Sequence, residues 1–257
     1  MLFLCNRTKR TGAVMRSHHY HGNKFELYYM INGKCNYFID DKTYEVSSGD
    51  LVLIPEGSIH KTVYGREEHS RVLIECSSHF VPDDIRDKLS SMSLLYRNPQ
   101  VSKEILLQMK KIEEECNSPD EFTVEALKAH MRLLFYTIVR NADTATEPLS
   151  KNLMVEKVVG YIKENFASDI SLSMMAKMHF VSSEHLSRTF KRETGFGFSE
   201  YLTLVRLREA EYLLKNRAGR NISDIAYRCG FNDSNYFSDK FKKAYGMSPF
   251  KYSKSFK

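Results

Sequence analysis

The sequence predicts two domains of different class, an N-terminal β-barrel with helices packed after it and a C-terminal all-α domain carrying two helix-turn-helix units. Three observations predict this. Near residue 80 the apolar pattern leaves the short period of strands for the three- and four-residue spacing of helices. A stretch without periodicity, ADTATEPLSKN from Ala142 to Asn152, then reads as a linker. Beyond it, one pattern of aromatic, glycine and lysine positions occurs twice. The expected boundaries are 1–141, a linker at 142–152, and 153–257, with the two units at about 171–195 and 222–246.

A chain of 257 residues with 42% apolar and 27% charged content suits two folded cores and excludes a disordered polymer. No apolar run approaches the roughly 18 residues that cross a bilayer, and the opening MLFLCNRTKR is too short in apolar residues for a signal peptide. The expected compartment is the cytosol. Cys5, Cys35, Cys76, Cys116 and Cys229 are odd in number and scattered, as reduced, mostly packed thiols would be. The net charge of +6 is uneven: residues 153–257 hold 18 Lys+Arg against 11 Asp+Glu. A basic C-terminal part is what an anionic polymer would meet.

In the first domain, Phe25 to Ile31, Asn36 to Ile39, Tyr44 to Val46, Leu51 to Pro55 and Arg71 to Cys76 read as strands. Gly33, Asp40-Asp41-Lys42 and Ser47-Ser48-Gly49-Asp50 turn the chain between them. Asp83 to Met92, Val101 to Cys116 and Phe122 to Asn141 read as helices. The third has a broad apolar face of Leu127, Met131, Leu134, Phe135, Ile138 and Val139, which must pack on the barrel, on a second subunit, or on both.

The repeat aligns FVSSEHLSRTFKRETGFGFSEY, from Phe180, with FNDSNYFSDKFKKAYGMSPFKY, from Phe231, so that Ser187 meets Ser238, Lys191 meets Lys242 and Gly195 meets Gly246. Each copy has the parts of a helix-turn-helix. Leu172 to Met178 and Ile222 to Cys229 are the short first helices, with Ala176 and Ala226 small enough for a close crossing. Ser182 and Asp233 are placed to cap the second helices, and Gly195 and Gly246 to end them. Helical spacing turns Leu186 and Phe190, then Phe237, Phe241 and Tyr245, inward. It leaves Glu184, Ser187, Arg188 and Lys191 outward in the first copy, and Ser234, Asn235, Ser238, Asp239 and Lys242 in the second. Short polar side chains with Arg, Asn and Lys suit the reading of base edges and the gripping of phosphates. A connecting helix, Phe198 to Lys215, bears Arg206 and Arg208 and would hold both reading helices on one face of a duplex, about 34 Å apart.

The segment ISDIAYRCGFNDSNYFSDKFKKAYGMSPFKY resembles the signature of AraC/XylS-type transcription regulators, and SLSMMAKMHFVSSEHLSRTFKRETG is similar to its companion half. The resemblance covers about Leu153 to Tyr252. It implies an activator whose DNA-binding residues are Ser182, Ser183, Glu184, Ser187, Arg188 and Lys191 in the first unit, and Ser234, Asn235, Ser238, Asp239 and Lys242 in the second. Asp239 departs from the family, in which a basic residue is common there. It implies as partners double-stranded promoter DNA, a small-molecule effector, a second copy of the chain and RNA polymerase, and no membrane.

His19 and His21 lie two apart, Glu26 follows, and His60 comes after a turn. The series His19, His21, Glu26, Gly33, with Gly12 upstream, resembles the first motif of the cupin barrel. Gly49, Pro55, Gly57 and His60 resemble the second, with Tyr64 where Asn is usual. The resemblance implies a cupin-like sensor. In metal-bearing cupins the three His and the Glu form a mixed N/O set suited to Mn, Fe, Ni or Zn. The favoured expectation needs no cofactor: His19, His21, Glu26, Tyr28, Tyr37 and His60 line an effector site, for a sugar or related metabolite. A divalent metal on His19, His21, Glu26 and His60, in a cupin enzyme or a metal sensor, is the alternative.

Overall fold

The computed structural model describes residues 3–10, 24–91, 95–96, 99–141, 152–216 and 221–255. Eight strands lead the chain: β1 (Phe3–Arg10), β2 (Lys24–Asn32), β3 (Lys34–Ile39), β4 (Lys42–Ser47), β5 (Leu51–Ile54), β6 (His60–Tyr64), β7 (His69–Ser77) and β8 (Leu95–Tyr96). They form a five-stranded sheet in the order β1-β7-β2-β5-β8 and a three-stranded sheet in the order β4-β3-β6, with antiparallel pairing throughout.

The side-chain alternation of a strand builds two cores here. From β2, Phe25, Leu27 and Tyr29 face the helices α2 (Pro99–Asn117) and α3 (Thr123–Arg140), joining Met109, Ile112, Met131, Leu134 and Phe135. Tyr28 and Met30 face the other way, into a core between the sheets with Tyr37, Ile39, Tyr44, Tyr64 and Leu73. Burial on both faces explains why β2 reads as one apolar run rather than an alternation.

All five expected strands are present; four are extended by a residue or two at their ends, and the one from Leu51 stops at Ile54, a residue short of Pro55. β1, β6 and the two-residue β8 went unread. β1 is an edge strand, half exposed along its length, so its pattern is mostly polar. β6, HKTVY, carries polar residues whose outer side is covered by the second domain, so solvent does not explain its pattern. The expected helix from Asp83 opens as a 3-10 turn, Asp83–Ile85, before α1 (Arg86–Ser91); Met92 lies outside the described residues. The apolar face of α3 is consumed within the chain, as Phe135 meets Phe25 edge-on at 6.3 Å.

The second domain holds α4 (Leu153–Asn165), α5 (Leu172–Met178), α6 (Ser183–Thr194), α7 (Phe198–Asn216), α8 (Ile222–Arg228), α9 (Ser234–Tyr245) and α10 (Pro249–Lys254). α7 serves two cores: Tyr201, Leu204 and Val205 pack with α4, α5 and α6, while Leu207, Ala210, Leu213 and Leu214 pack with α8, α9 and α10. Glu211, buried in the second core, is met by Lys215 Nζ at 2.7 Å and accepts from the Tyr252 hydroxyl, while Tyr245 Oη lies 3.1 Å from Leu207 O and 3.4 Å from Glu211 Oε2. Residues 142–151, most of the expected linker, lie outside the described residues, and no described helix is long and apolar enough to cross a membrane.

Candidate nucleic-acid interface and interior polar cluster

The caps form as the sequence predicts. Ser182 Oγ accepts from His185 N at 3.1 Å, and Asp233 Oδ1 accepts from Asn235 N and Tyr236 N at 2.7 and 2.8 Å. Gly195 and Gly246 both end their helices in the left-handed region, at φ 77°. The alignment of Phe180 with Phe231 does not survive. Val181 N and Phe231 N each donate to the alanine carbonyl of the preceding helix, Ala176 and Ala226. Phe180 therefore occupies the place of Gly230, and the second turn is one residue longer. Gly230 has φ 82°, and a Cβ there would lie 2.8 Å from Phe166 O. Phe180 adopts φ 54° with its ring 96% exposed.

Glu184, Ser187, Arg188 and Lys191 are exposed on α6, beside the exposed cap Ser182 and half-buried Ser183. On α9, Asn235, Asp239 and Lys242 are exposed, while Ser234 and Ser238 are half-buried against expectation. The Glu184 carboxyl is held below the usual range by its own backbone N–H and the Ser182 hydroxyl, with Arg188 adding to the effect. It stays an ionised acceptor, suited to a cytosine amino group. Arg188, Lys191 and Lys242 form no ion pair among the described residues.

Between the sheets, Glu26, Tyr37 and His60 come together as expected. Tyr37 Oη donates to Glu26 Oε1 at 2.7 Å, and His60 Nε2 lies 3.2 Å from Glu26 Oε2. His60 Nδ1 lies 3.0 Å from Ser58 O, so both ring nitrogens face acceptors. Burial pushes the His60 pKa down, but the Glu26 charge and these hydrogen bonds outweigh it and raise it overall. Glu26 and His60 thus form a buried, hydrogen-bonded pair, and among the described residues no group of three ligand side chains is placed to hold a metal. His19 and His21 lie outside the described residues.

What the sequence did not reveal is the seam between the domains. The outer face of the three-stranded sheet docks on the C-terminus of α6 and the start of α7. Phe38 and Ile59 enter the core of the first helix-turn-helix unit, where Phe38 meets Tyr201 and Phe196 edge-on. Lys61 Nζ sits 4.6 Å over the Phe196 ring and 3.5 Å from Glu200 Oε1. The turn residue Asp40 accepts from Tyr201 Oη at its carbonyl, 2.6 Å, and from Arg208 Nη1 at its carboxylate, 2.8 Å. Arg206, by contrast, ties α7 to Phe166 O and Ser168 O. Both connector arginines are thus structural, and a long-range pair like Asp40–Arg208 leaves no local signal.

Strand alternation gives this seam its meaning. Tyr37 and His60 point between the sheets, while Phe38, Ile59 and Lys61 point at the helical domain. One layer of backbone separates the polar cluster from the first helix-turn-helix unit.

A family model described as AraC-like ligand binding domain matches residues 5–143, and one described as helix-turn-helix domain matches residues 175–255. Among curated proteins, the HTH-type transcriptional activator RhaS of Klebsiella pneumoniae (strain 342) is 29% identical over 153 residues, 58% of this chain and 55% of that one. RhaS of Escherichia coli (strain SMS-3-5 / SECEC) is 31% identical over 58% of this chain and 52% of its own length. The chain thus spans about half the length of these relatives. RhaS of Enterobacter sp. (strain 638) is 24% identical over 92% of this chain and 87% of its own length. Among solved structures, ToxT from Vibrio cholerae is 18% identical, covers 98% of both chains and has a TM-score of 0.41. Because the first of the two family models spans more than half of its residues, the chain belongs to the AraC family, with an AraC-like ligand-binding domain followed by a helix-turn-helix domain.

Proposed function

We propose that the protein is a sequence-specific transcription activator that binds double-stranded promoter DNA through α6 and α9 and receives a small polar effector, a sugar or related metabolite, between its sheets. The observation that carries this reading is the shared seam: the sheet that faces the polar cluster is also the sheet on which the first reading unit is docked. An effector that contacts Tyr37 or His60 shifts β3 and β6, and with them the disposition of α6. The curated relatives are named as activators, which supports activation and speaks against a cupin enzyme. The protein acts in the cytoplasm, as a homodimer, alongside RNA polymerase. With its inner face consumed, α3 offers the second copy its other side, where Val124 and Leu133 are exposed beside Phe122.

Fluorescence anisotropy with duplexes from the promoter regions flanking the gene tests the reading. At least one duplex binds more tightly than a scrambled one, and affinity falls steeply as salt rises. Binding that ignores salt, or equal affinity for every duplex, overturns it.

A further inference from the structure

β7 places a cation where the fold has no evident use for one. Arg71 shares the inward parity of Leu73, between the sheets, and is 3% exposed. Its guanidinium carbon lies 5.5 Å over the Tyr28 ring. Nη1 is buried without a hydrogen-bond partner, and no carboxylate among the described residues forms an ion pair with Arg71. A ring face attracts the charge but cannot accept the planar fork of N–H groups. The chain between β1 and β2, residues 11–23, contains no Asp or Glu to supply the missing acceptor. The acidic residues of the inter-sheet space are engaged elsewhere: Glu26 with Tyr37 and His60, Glu75 with Lys24 at 3.0 Å. Asp50 Oδ2 accepts from Ser47 N.

The groups around Arg71 have the same deficit. Tyr28 Oη and Tyr64 Oη lie 3.1 Å apart, and one proton suffices for that bond. With Tyr64 as the donor in that bond, the Tyr28 proton meets only sulfur among the described residues, Cys35 Sγ at 3.6 Å and Met30 Sδ at 3.8 Å from Tyr28 Oη. Thus a guanidinium N–H and a phenol proton lie in the same inter-sheet space with no oxygen acceptor among the described residues. An unpaired buried charge is costly, and a fold keeps it where a ligand completes it.

We infer that the effector is an organic anion, whose carboxylate or phosphate oxygens are taken by Arg71 and the Tyr28–Tyr64 hydroxyl pair. This rests on the sensor reading above and narrows it from polar metabolites to acidic ones. Arg71 gives the anion two parallel N–H donors, the geometry that distinguishes it from a point charge.

The test is thermal melting and calorimetric titration of the full chain with gluconate, salicylate, glucose 6-phosphate and inorganic phosphate, against glucose and chloride at matched ionic strength. Gluconate or salicylate stabilising the protein marks a carboxylate site, and the phosphates alone mark a phosphate site. Either is saturable and weakened about tenfold or more in Arg71→Lys, which keeps the charge and loses the fork. In Arg71→Met the anion effect disappears while the unliganded protein melts at or above the wild-type temperature. The inference is overturned if no anion exceeds chloride on the wild type, or if the Arg71 variants respond as the wild type does. It is also overturned if glucose alone binds. Promoter binding measured in parallel without anion judges the regulator reading separately, so the two fail independently.

Discussion

The Tyr201 hydroxyl donates to the Asp40 carbonyl at 2.6 Å, joining a helix of the DNA-reading unit to a turn of the ligand-binding domain. Asp40 stands at φ 55°, where a side chain with a short carboxylate is tolerated, and the same carboxylate receives Arg208 and the Ile59 N–H. One residue thus orders its own turn and fastens two domains.

Breaking that fastening should loosen the domains without unfolding either. Arg208→Ala is expected to cost about 1 kcal/mol, since both partners are roughly a third exposed. Asp40→Asn keeps the turn, so the double variant isolates the pair. Denaturant titration of all four proteins should give a coupling near that value, and additive effects would dissolve the seam as an energetic link.

The two turns should respond oppositely to their special residues. Gly230→Ala forces a Cβ to 2.8 Å from Phe166 O at positive φ and should cost about 1–3 kcal/mol or more. Phe180→Gly relieves a left-handed backbone and removes an exposed ring, so stability should stay within about 1 kcal/mol of wild type. Urea midpoints decide both.

On DNA, Arg188→Ala should weaken site-specific binding by about 1–3 kcal/mol if Arg188 reads a guanine. Equal losses on all duplexes would make it a phosphate contact. Asp239→Asn removes an exposed negative charge from the second reading helix and should tighten binding to scrambled duplexes. Loss of affinity for the specific site alone would show instead that Asp239 accepts from a base.

The His60–Glu26 pair predicts a pH dependence. Because the folded His60 pKa is raised above 6.5, its stabilisation is fully present below that value and is lost as pH climbs through the folded pKa. Melting temperature should therefore fall from about pH 6.5 upward in the wild type, and this component should vanish in His60→Gln. A wild-type profile that matches the variant's would remove the charged pair.

Much of the helical domain is legible in the sequence because its signals are local. Ser182, Asp233, Gly195 and Gly246 act on backbone within a turn of themselves, so residue type alone places the ends of α6 and α9. The register slip at Phe180 escaped because an alignment by aromatic residues cannot see which carbonyl a turn N–H selects. Glu26 and His60 come together because the strand pattern brings them there. β6 hid because its outer residues answer to Phe196 and Glu200, far along the chain, rather than to water. Arg71 hid for a similar reason: in sequence it begins an apolar strand and looks like a solvated end.

The alternation of Ile59, His60 and Lys61 has a consequence for how such a protein diversifies. Substitutions at one parity of β3 and β6 would alter what is held between the sheets while leaving the contacts to α6 and α7 as they are, so the two faces can change independently. A single-residue insertion within β6 would exchange the two parities at once, blinding the protein and uncoupling it in one mutational step.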